Sequence, residues 1–280
     1  MTRAFVLTGG ASLGSIQVGM LVALEEAGVV PDLWVGTSVG ALNAAFMAGR
    51  PGPGGAVALA GLWQGLRRRD VFPTDTRRHL RGVAGRESGL VSSDALRRLV
   101  ASQLTYRNLE DAPVPVNVVA VDVLTSVDRC LSRGPAVDAV LASAALPGVF
   151  PPVLLGDRLY MDGGVVDNAP ISHAVTLGAT EVWVLPAGYA CHLAEPPRSV
   201  IGMALQALNV LVQRRLSHDV AVYGERVAIR VVPPLCPVRI GPTDFSHSAE
   251  LIDQALTSTR QWLAAGCPDT AMLGLHDHDR

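Results

Sequence analysis

The apolar residues of this chain fall in short blocks separated by glycines, and the blocks alternate between two spacings. Residues 3–8 read as a buried strand, because Ala4 to Leu7 is an unbroken apolar run and Gly9 and Gly10 end it. Residues 14–27 follow with helical spacing: Ile16, Met20, Leu21 and Leu24 share one face, and Gly28 supplies a C-terminal stop. Residues 33–36 predict a second strand, and residues 39–48, rich in alanine and other small residues, a second helix. Strand, glycine turn, helix, strand, sharp turn, helix is the order of an α/β domain. The expected fold is therefore a three-layer α/β/α arrangement with a mostly parallel central sheet. Later strands are expected at 116–121, 181–185 and 227–232, and later helices at 93–104, 137–143, 200–222 and 248–265. Ser92 or Ser93 is placed to cap the first of these helices. Residues 50–55, Arg-Pro-Gly-Pro-Gly-Gly, read as a loop. No linker divides the chain, so residues 1–280 are expected to form a single domain, with the informative core at about 3–190 and a frayed tail over 270–280.

Composition narrows this picture. With 280 residues, 49% of them hydrophobic, the chain can bury a substantial core and is not a disordered one. A net charge of −2 provides no general attraction for nucleic acid. All 23 basic residues are Arg, which is read as a bias toward GC-rich codons. Cys130, Cys191, Cys236 and Cys267 show no C-x-x-C spacing, so neither a zinc site nor a disulfide framework is expected. Reduced thiols and the absence of a secretion signal ahead of Gly9 point to a cytoplasmic location. The longest apolar stretch, 200–212, contains Gln206 and Asn209 and is too short to span a bilayer, so a lipid substrate would be met at the membrane surface.

Gly36-Thr37-Ser38-Val39-Gly40 matches G-x-S-x-G and lies between a predicted strand and a predicted helix, the context a nucleophile elbow requires. A serine on so sharp a turn tolerates only small neighbours, which is why Gly36 and Gly40 matter. The helix N-terminus also favours a developing anion. The same five residues would serve a glycine-bounded turn with an N-cap serine. Thr8-Gly9-Gly10-Ala11-Ser12-Leu13-Gly14 follows the first strand and opens the first helix. As a phosphate cradle it is a poor match: Gly10 and Gly14 are wrongly spaced, and a P-loop needs a Lys that the chain lacks. As an oxyanion hole it would turn backbone N–H groups toward a tetrahedral intermediate, one such donor being worth about 3 kcal/mol of barrier. As a plain tight turn it would only let helix and strand pack.

A hydrolytic serine needs a proton acceptor. Asp162, in Tyr160-Met161-Asp162-Gly163-Gly164, is one candidate, although Asp before two glycines also describes a surface turn. The rigid apolar segment from Pro147 to Val153 would wall a pocket beside it. None of His79, His173, His192, His218, His247, His276 or His278 sits in a recognisable triad context. His173, nearest to Asp162 in sequence, falls in what reads as a helix after Pro170, where a surface or capping role is expected.

Together, the glycine-rich loop, Gly36 to Gly40, Asp162-Gly163-Gly164 and the intervening Ala142-Ser143-Ala144-Ala145-Leu146-Pro147 resemble the patatin-like phospholipase family over roughly residues 3–170. The resemblance implies a lipid acyl hydrolase that works through a Ser–Asp dyad without histidine; no cofactor and no metal are expected. Ser38 would attack the ester carbonyl, Asp162 would take its proton, and backbone N–H groups of Gly9, Gly10 and Ala11, assisted by Val39, would hold the oxyanion. Phospholipids, lysophospholipids or neutral lipids are the implied substrates. A carboxylate with a pKa near ~4 is a poor base, so the mechanism requires a dry pocket and a short hydrogen bond. The family loop often carries a third glycine and a basic residue where this chain has Ala11 and Leu13, which bears on head-group recognition more than on ester chemistry.

Arg67, Arg68, Arg69, Arg77, Arg78, Arg81 and Arg86, interleaved with Trp63, Leu66, Val71, Phe72 and Leu80, form a basic segment. It reads either as a flap lying on anionic lipid, at about 1 kcal/mol per basic residue, or as a solvated excursion. Rival functions are an acyltransferase or thioesterase on the same site, a catalytically silent lipid-binding protein, and a nucleotide-binding α/β module.

Overall fold

In the computed structural model, residues 1–73, 88–188, 200–236 and 240–268 are described, together with positions 196 and 238. The central strands are β1 (Arg3–Leu7), β2 (Leu33–Thr37), β3 (Val116–Asp122), β7 (Glu181–Leu185) and β8 (Ala228–Val231), all mutually parallel. Antiparallel strands complete one side: β4 (Asp128–Leu131), β5 (Val153–Leu155) and β6 (Arg158–Asp162). The hydrogen-bonded order is β5-β6-β3-β2-β1-β7-β8, with β4 also paired to β3.

The central strands read as continuous apolar runs because both faces of the sheet are covered. Successive side chains point to opposite faces. Phe5, Leu7, Trp34, Val118, Trp183 and Leu185 enter one core, and Ala4, Val6, Leu33, Val35, Val182 and Val184 enter the other. On the first face lie α1 (Gly14–Glu26), α2 (Val39–Ala48), α3 (Gly55–Gly65), α5 (Asp94–Gln103), α6 (Ala136–Ser143) and α9 (Ser248–Ala264). A one-turn α4 (Arg68–Val71) follows α3. On the second face lie α7 (Ile171–Thr176) and α8 (Val200–Tyr223), represented in that core by Ile171, Ala174 and Leu216. The expected α/β/α layering is thus the observed one.

Differences from the sequence expectation are local. Helix α1 is buried on all sides from Gly14 to Leu24, because α9 covers the face turned away from the sheet. Helix α3 begins at Gly55, the last residue of the expected loop, and was not foreseen. Neither were β4 and the β5–β6 hairpin, whose strands are short and half exposed and so carry no clean alternation. Ser92 caps α5, its Oγ accepting the N–H of Asp94 at 3.1 Å, whereas Ser93 makes no such bond. Cys130 and Cys267 are free thiols, but Cys236 is disulfide-bonded, against the expectation of four reduced cysteines. Sequence spacing carries no information about which sulfurs approach in space, and the cytoplasmic expectation loses that part of its support. Among the described residues no helix is long and apolar enough to cross a membrane.

The register on β3 has a functional consequence. Val118 and Val119 pair with both β2 and β4, while Ala120 and Val121 pair with both β4 and β6. A strand has two edges, so β2 and β6 must share one of them, end to end, with β4 on the other. Strand β2 stops with Thr37 opposite Val119, and β6 stops with Asp162 opposite Ala120. Residues 38 and 162 are therefore brought to the same point of the sheet edge by backbone pairing alone.

Candidate active site

Ser38 links β2 to α2 with φ 55° and ψ −124°, a strained conformation for a side-chain-bearing residue. Its neighbours must be glycine: a Cβ on Gly36 would lie 2.5 Å from the Gly40 carbonyl oxygen, and one on Gly40 would collide with the carbonyl oxygens of Leu7 and Thr8. The strain is held by packing and by one buried relay. Ser38 N–H donates to Ser143 Oγ at 2.9 Å, and Ser143 Oγ donates to the Val119 carbonyl at 2.6 Å. The sequence offered the 142–147 segment but assigned Ser143 no task.

The Ser38 hydroxyl donates to Asp162 Oδ2 at 2.7 Å. Asp162 is 3% exposed, so it is not the surface turn that its sequence also described. Its Oδ1 accepts the Gly164 N–H at 2.7 Å, and its own N–H donates to the Ala145 carbonyl at 3.0 Å. Burial pushes the carboxyl pKa up to about 6, outweighing the hydrogen bonds from Ser38 and Gly164 that favour the anion. Such a carboxylate is ionised at neutral pH yet far more basic than an exposed aspartate.

The glycine-rich loop lies against this pair. A Cβ on Gly9 would stand 3.0 Å from Ser38 Cβ, so only glycine permits the approach. The Gly9 N–H, however, donates to Asn168 Oδ1 at 3.0 Å. The residue expected to donate to an oxyanion is thus engaged within the protein, by an acceptor that could not be inferred from sequence because it comes from a distant turn. Among the described residues nothing accepts the N–H groups of Gly10, Ala11 or Val39. Ala11 sits at φ 51° on a short 3-10 turn (Ala11–Leu13), a left-handed conformation that favours glycine. Buried Gln17 braces the loop, its Nε2 donating to the carbonyls of Thr8 at 2.8 Å and Leu185 at 3.0 Å.

A cavity of about 100 Å³ opens from Ser38, Val39 and Ala11 and runs among Leu42, Leu62, Val100 and Phe150. By a comparable measure a single water needs only about 10–15 Å³. Trp63, Leu66, Val71 and Phe72, read in sequence as part of a basic excursion, are cavity wall. Arg67, Arg68 and Arg69 stand beside them, with the Arg67 N–H held by Asp70 Oδ2 at 2.8 Å. Arg77, Arg78, Leu80, Arg81 and Arg86 lie outside the described residues, as do His79, His192, His276 and His278.

His173 is not the partner of Ser38. It sits in α7 with Nε2 2.7 Å from Asp128 Oδ2. His247 pairs with Glu250 at 3.1 Å.

The model of the family described as patatin-like phospholipase matches residues 5–175. An uncharacterized NTE family protein of Mycobacterium tuberculosis is 33% identical over 165 residues, which is 59% of this chain and 27% of that protein. Human patatin-like phospholipase domain-containing protein 6 is 30% identical over 189 residues, 67% of this chain and 13% of that protein. The chain thus spans little more than a quarter of the length of these curated relatives, or less. In fold it is similar to VipD from Legionella pneumophila, with a TM-score of 0.50 and 15% identity over 94% of this chain and 67% of that one. With most of its layered core matched, from the first strand to the end of the segment after Asp162, the chain belongs to the patatin-like phospholipase family.

Proposed function

We propose that this protein hydrolyses carboxylic esters of lipids, with Ser38 as nucleophile and Asp162 as general base. The observation that carries the reading is the 2.7 Å hydrogen bond to a buried carboxylate from the hydroxyl of Ser38, a residue that lines an apolar cavity. The cavity suits a fatty acyl chain, each buried methylene contributing about 0.8 kcal/mol.

In the first step Ser38 Oγ bonds to the ester carbonyl carbon while its proton passes to Asp162. Charge moves onto the carbonyl oxygen, where the N–H groups of Gly10, Ala11 and Val39 are, among the described residues, the donors left free for the role, the Gly9 N–H being engaged by Asn168. The start of α2 adds its dipole. Collapse of the intermediate expels the alcohol, which takes the proton from Asp162, and leaves an acyl-Ser38 enzyme. Water then attacks that ester, giving its proton to Asp162, and release of the fatty acid returns the proton to Ser38. No cofactor is needed for any step.

Fluorophosphonate labelling with peptide mapping tests the assignment. The label is expected on Ser38 in the wild type, absent in Ser38→Ala and strongly slowed in Asp162→Asn. Labelling of another serine, or ester turnover retained by Ser38→Ala, would contradict it.

A further inference from the structure

The far side of the segment that carries Asp162 holds chemistry that ester hydrolysis does not use. Asp128 begins β4, Asp167 follows the 3-10 turn after Asp162 (Gly163–Val165), and His173 lies in α7. One carboxylate oxygen of each aspartate and one ring nitrogen of His173 lie within 4.8 Å of one another. Asp167 is wholly buried; its Oδ2 accepts Ser172 Oγ at 3.1 Å, and its Oδ1 has no hydrogen-bond partner among the described residues. A buried carboxylate oxygen left without a partner is costly, and a proton or a cation relieves it. His173 and Arg215 act on Asp167 ahead of Asp219 of α8, but the Arg215 guanidinium is bonded to Asp219 at 2.6 Å and is shared among Asp219, Asp167 and Asp128, so three carboxylates face one fixed cation.

We propose that Asp128, Asp167 and His173 form a binding site for a divalent transition-metal ion of the zinc class. Two carboxylates and an imidazole are a three-ligand N/O set that leaves a position open. Ligand atoms about 2.1 Å from one ion stand roughly 3–4 Å apart, so small side-chain rotations close the observed set. The ion would replace the present contact between His173 and Asp128. Magnesium and calcium prefer all-oxygen sites and are disfavoured by the imidazole. Cys130, two residues beyond Asp128 on β4, is not part of the set: burial first, and then the charges of Asp128 and Asp167, push its thiol up to about 12 and keep it protonated. The Asp128 and His173 side chains are 26% and 20% exposed, giving a path from solvent. A bound ion would join β4, the Asp162-bearing segment and α7. It would sit behind the elbow strand, where Thr37 Oγ1 donates to the Asp167 carbonyl at 3.0 Å. Cysteine spacing, on which the expectation of no metal site rested, does not register such a cluster.

The test uses the full chain stripped with a chelator and titrated with zinc chloride alone, followed by calorimetry and thermal melting. Saturable binding of one zinc per chain is expected, with a melting temperature raised by about 5 °C at a hundredfold excess over Kd. His173→Gln and Asp167→Asn, each shown by circular dichroism to be folded, are expected to bind at least roughly tenfold more weakly and to lose the thermal shift. The proposal is overturned by no saturable binding, by equal binding in wild type and both folded variants, or by tighter binding of magnesium or calcium than of zinc.

Discussion

Asp162 and Asp167 stand on one short segment, both buried and both with carboxyl pKa values raised by that burial, yet they face different surroundings. Asp162 meets a serine hydroxyl that is held at a strained turn beside the apolar cavity. Asp167 looks the other way, toward Ser172 and the charges of His173, Arg215 and Asp219. Burial raises the basicity of each carboxylate, but the neighbour decides what that basicity can do. In the roles proposed above, a hydroxyl beside an open pocket serves as a nucleophile, and an imidazole beside further carboxylates serves as a place for a cation.

The largest expected contrast is in turnover. Ser38→Ala and Asp162→Asn should each lower kcat for a fatty acyl ester by roughly a thousandfold or more. Asp167→Asn should lower it far less, and steady-state kinetics of the three variants measures the gap. Equal losses at Asp162 and Asp167 would erase the distinction between the two sides of the segment. Next comes substrate length. Leu99 of α5 also lines the cavity, and filling the space with Leu99→Trp should lower kcat/KM for long-chain esters by about fourfold for each methylene excluded, while short-chain esters are spared. His173→Gln, on the other side, should not alter the chain-length profile.

The acid limb of the pH profile sharpens the comparison further. Asp162 must be ionised to accept a proton, so kcat/KM should fall about tenfold per unit below a pH of about 6. That limb should persist in Asp167→Asn, and its loss there would assign it to the wrong carboxylate. The smallest effect is on stability. The folded pKa of Asp162 lies above its unfolded value of 3.8, so its neutral form is the one the fold favours. That contribution is intact below about pH 4 and is lost as pH rises through about 6, at a cost on the order of 3 kcal/mol. Asp162→Asn should therefore melt several degrees higher than wild type at pH 8, with the difference shrinking toward pH 4. An unchanged or lower melting temperature at pH 8 would argue against a burial-strained carboxylate.

How far the sequence reveals these two sides depends on what each residue answers to. Ser38 is legible because its constraint is local: Gly36 and Gly40 are demanded by backbone contacts of the turn itself, and both flanking elements have clear periodicity. The parallel strands are legible because burial on both faces leaves unbroken apolar runs. Asp162 could be named through the family pattern, but its burial follows from β6 taking over the β3 edge where β2 ends, a register set by a half-exposed hairpin without a readable pattern. Asn168, which takes the Gly9 N–H, and Ser143, which takes that of Ser38, are held in place by long-range pairing and leave no local trace. The same is true of the meeting of Asp128, Asp167 and His173, drawn from a strand, a turn and a helix.

The most direct test is to quench turnover of a fatty acyl ester in acid and locate the trapped acyl group by mass spectrometry. The account predicts a fatty acyl ester on Ser38 in the wild type and none that forms on the same timescale in Asp162→Asn. An acyl group carried by any other residue, or equally rapid acylation of Ser38 without the Asp162 carboxylate, would contradict it.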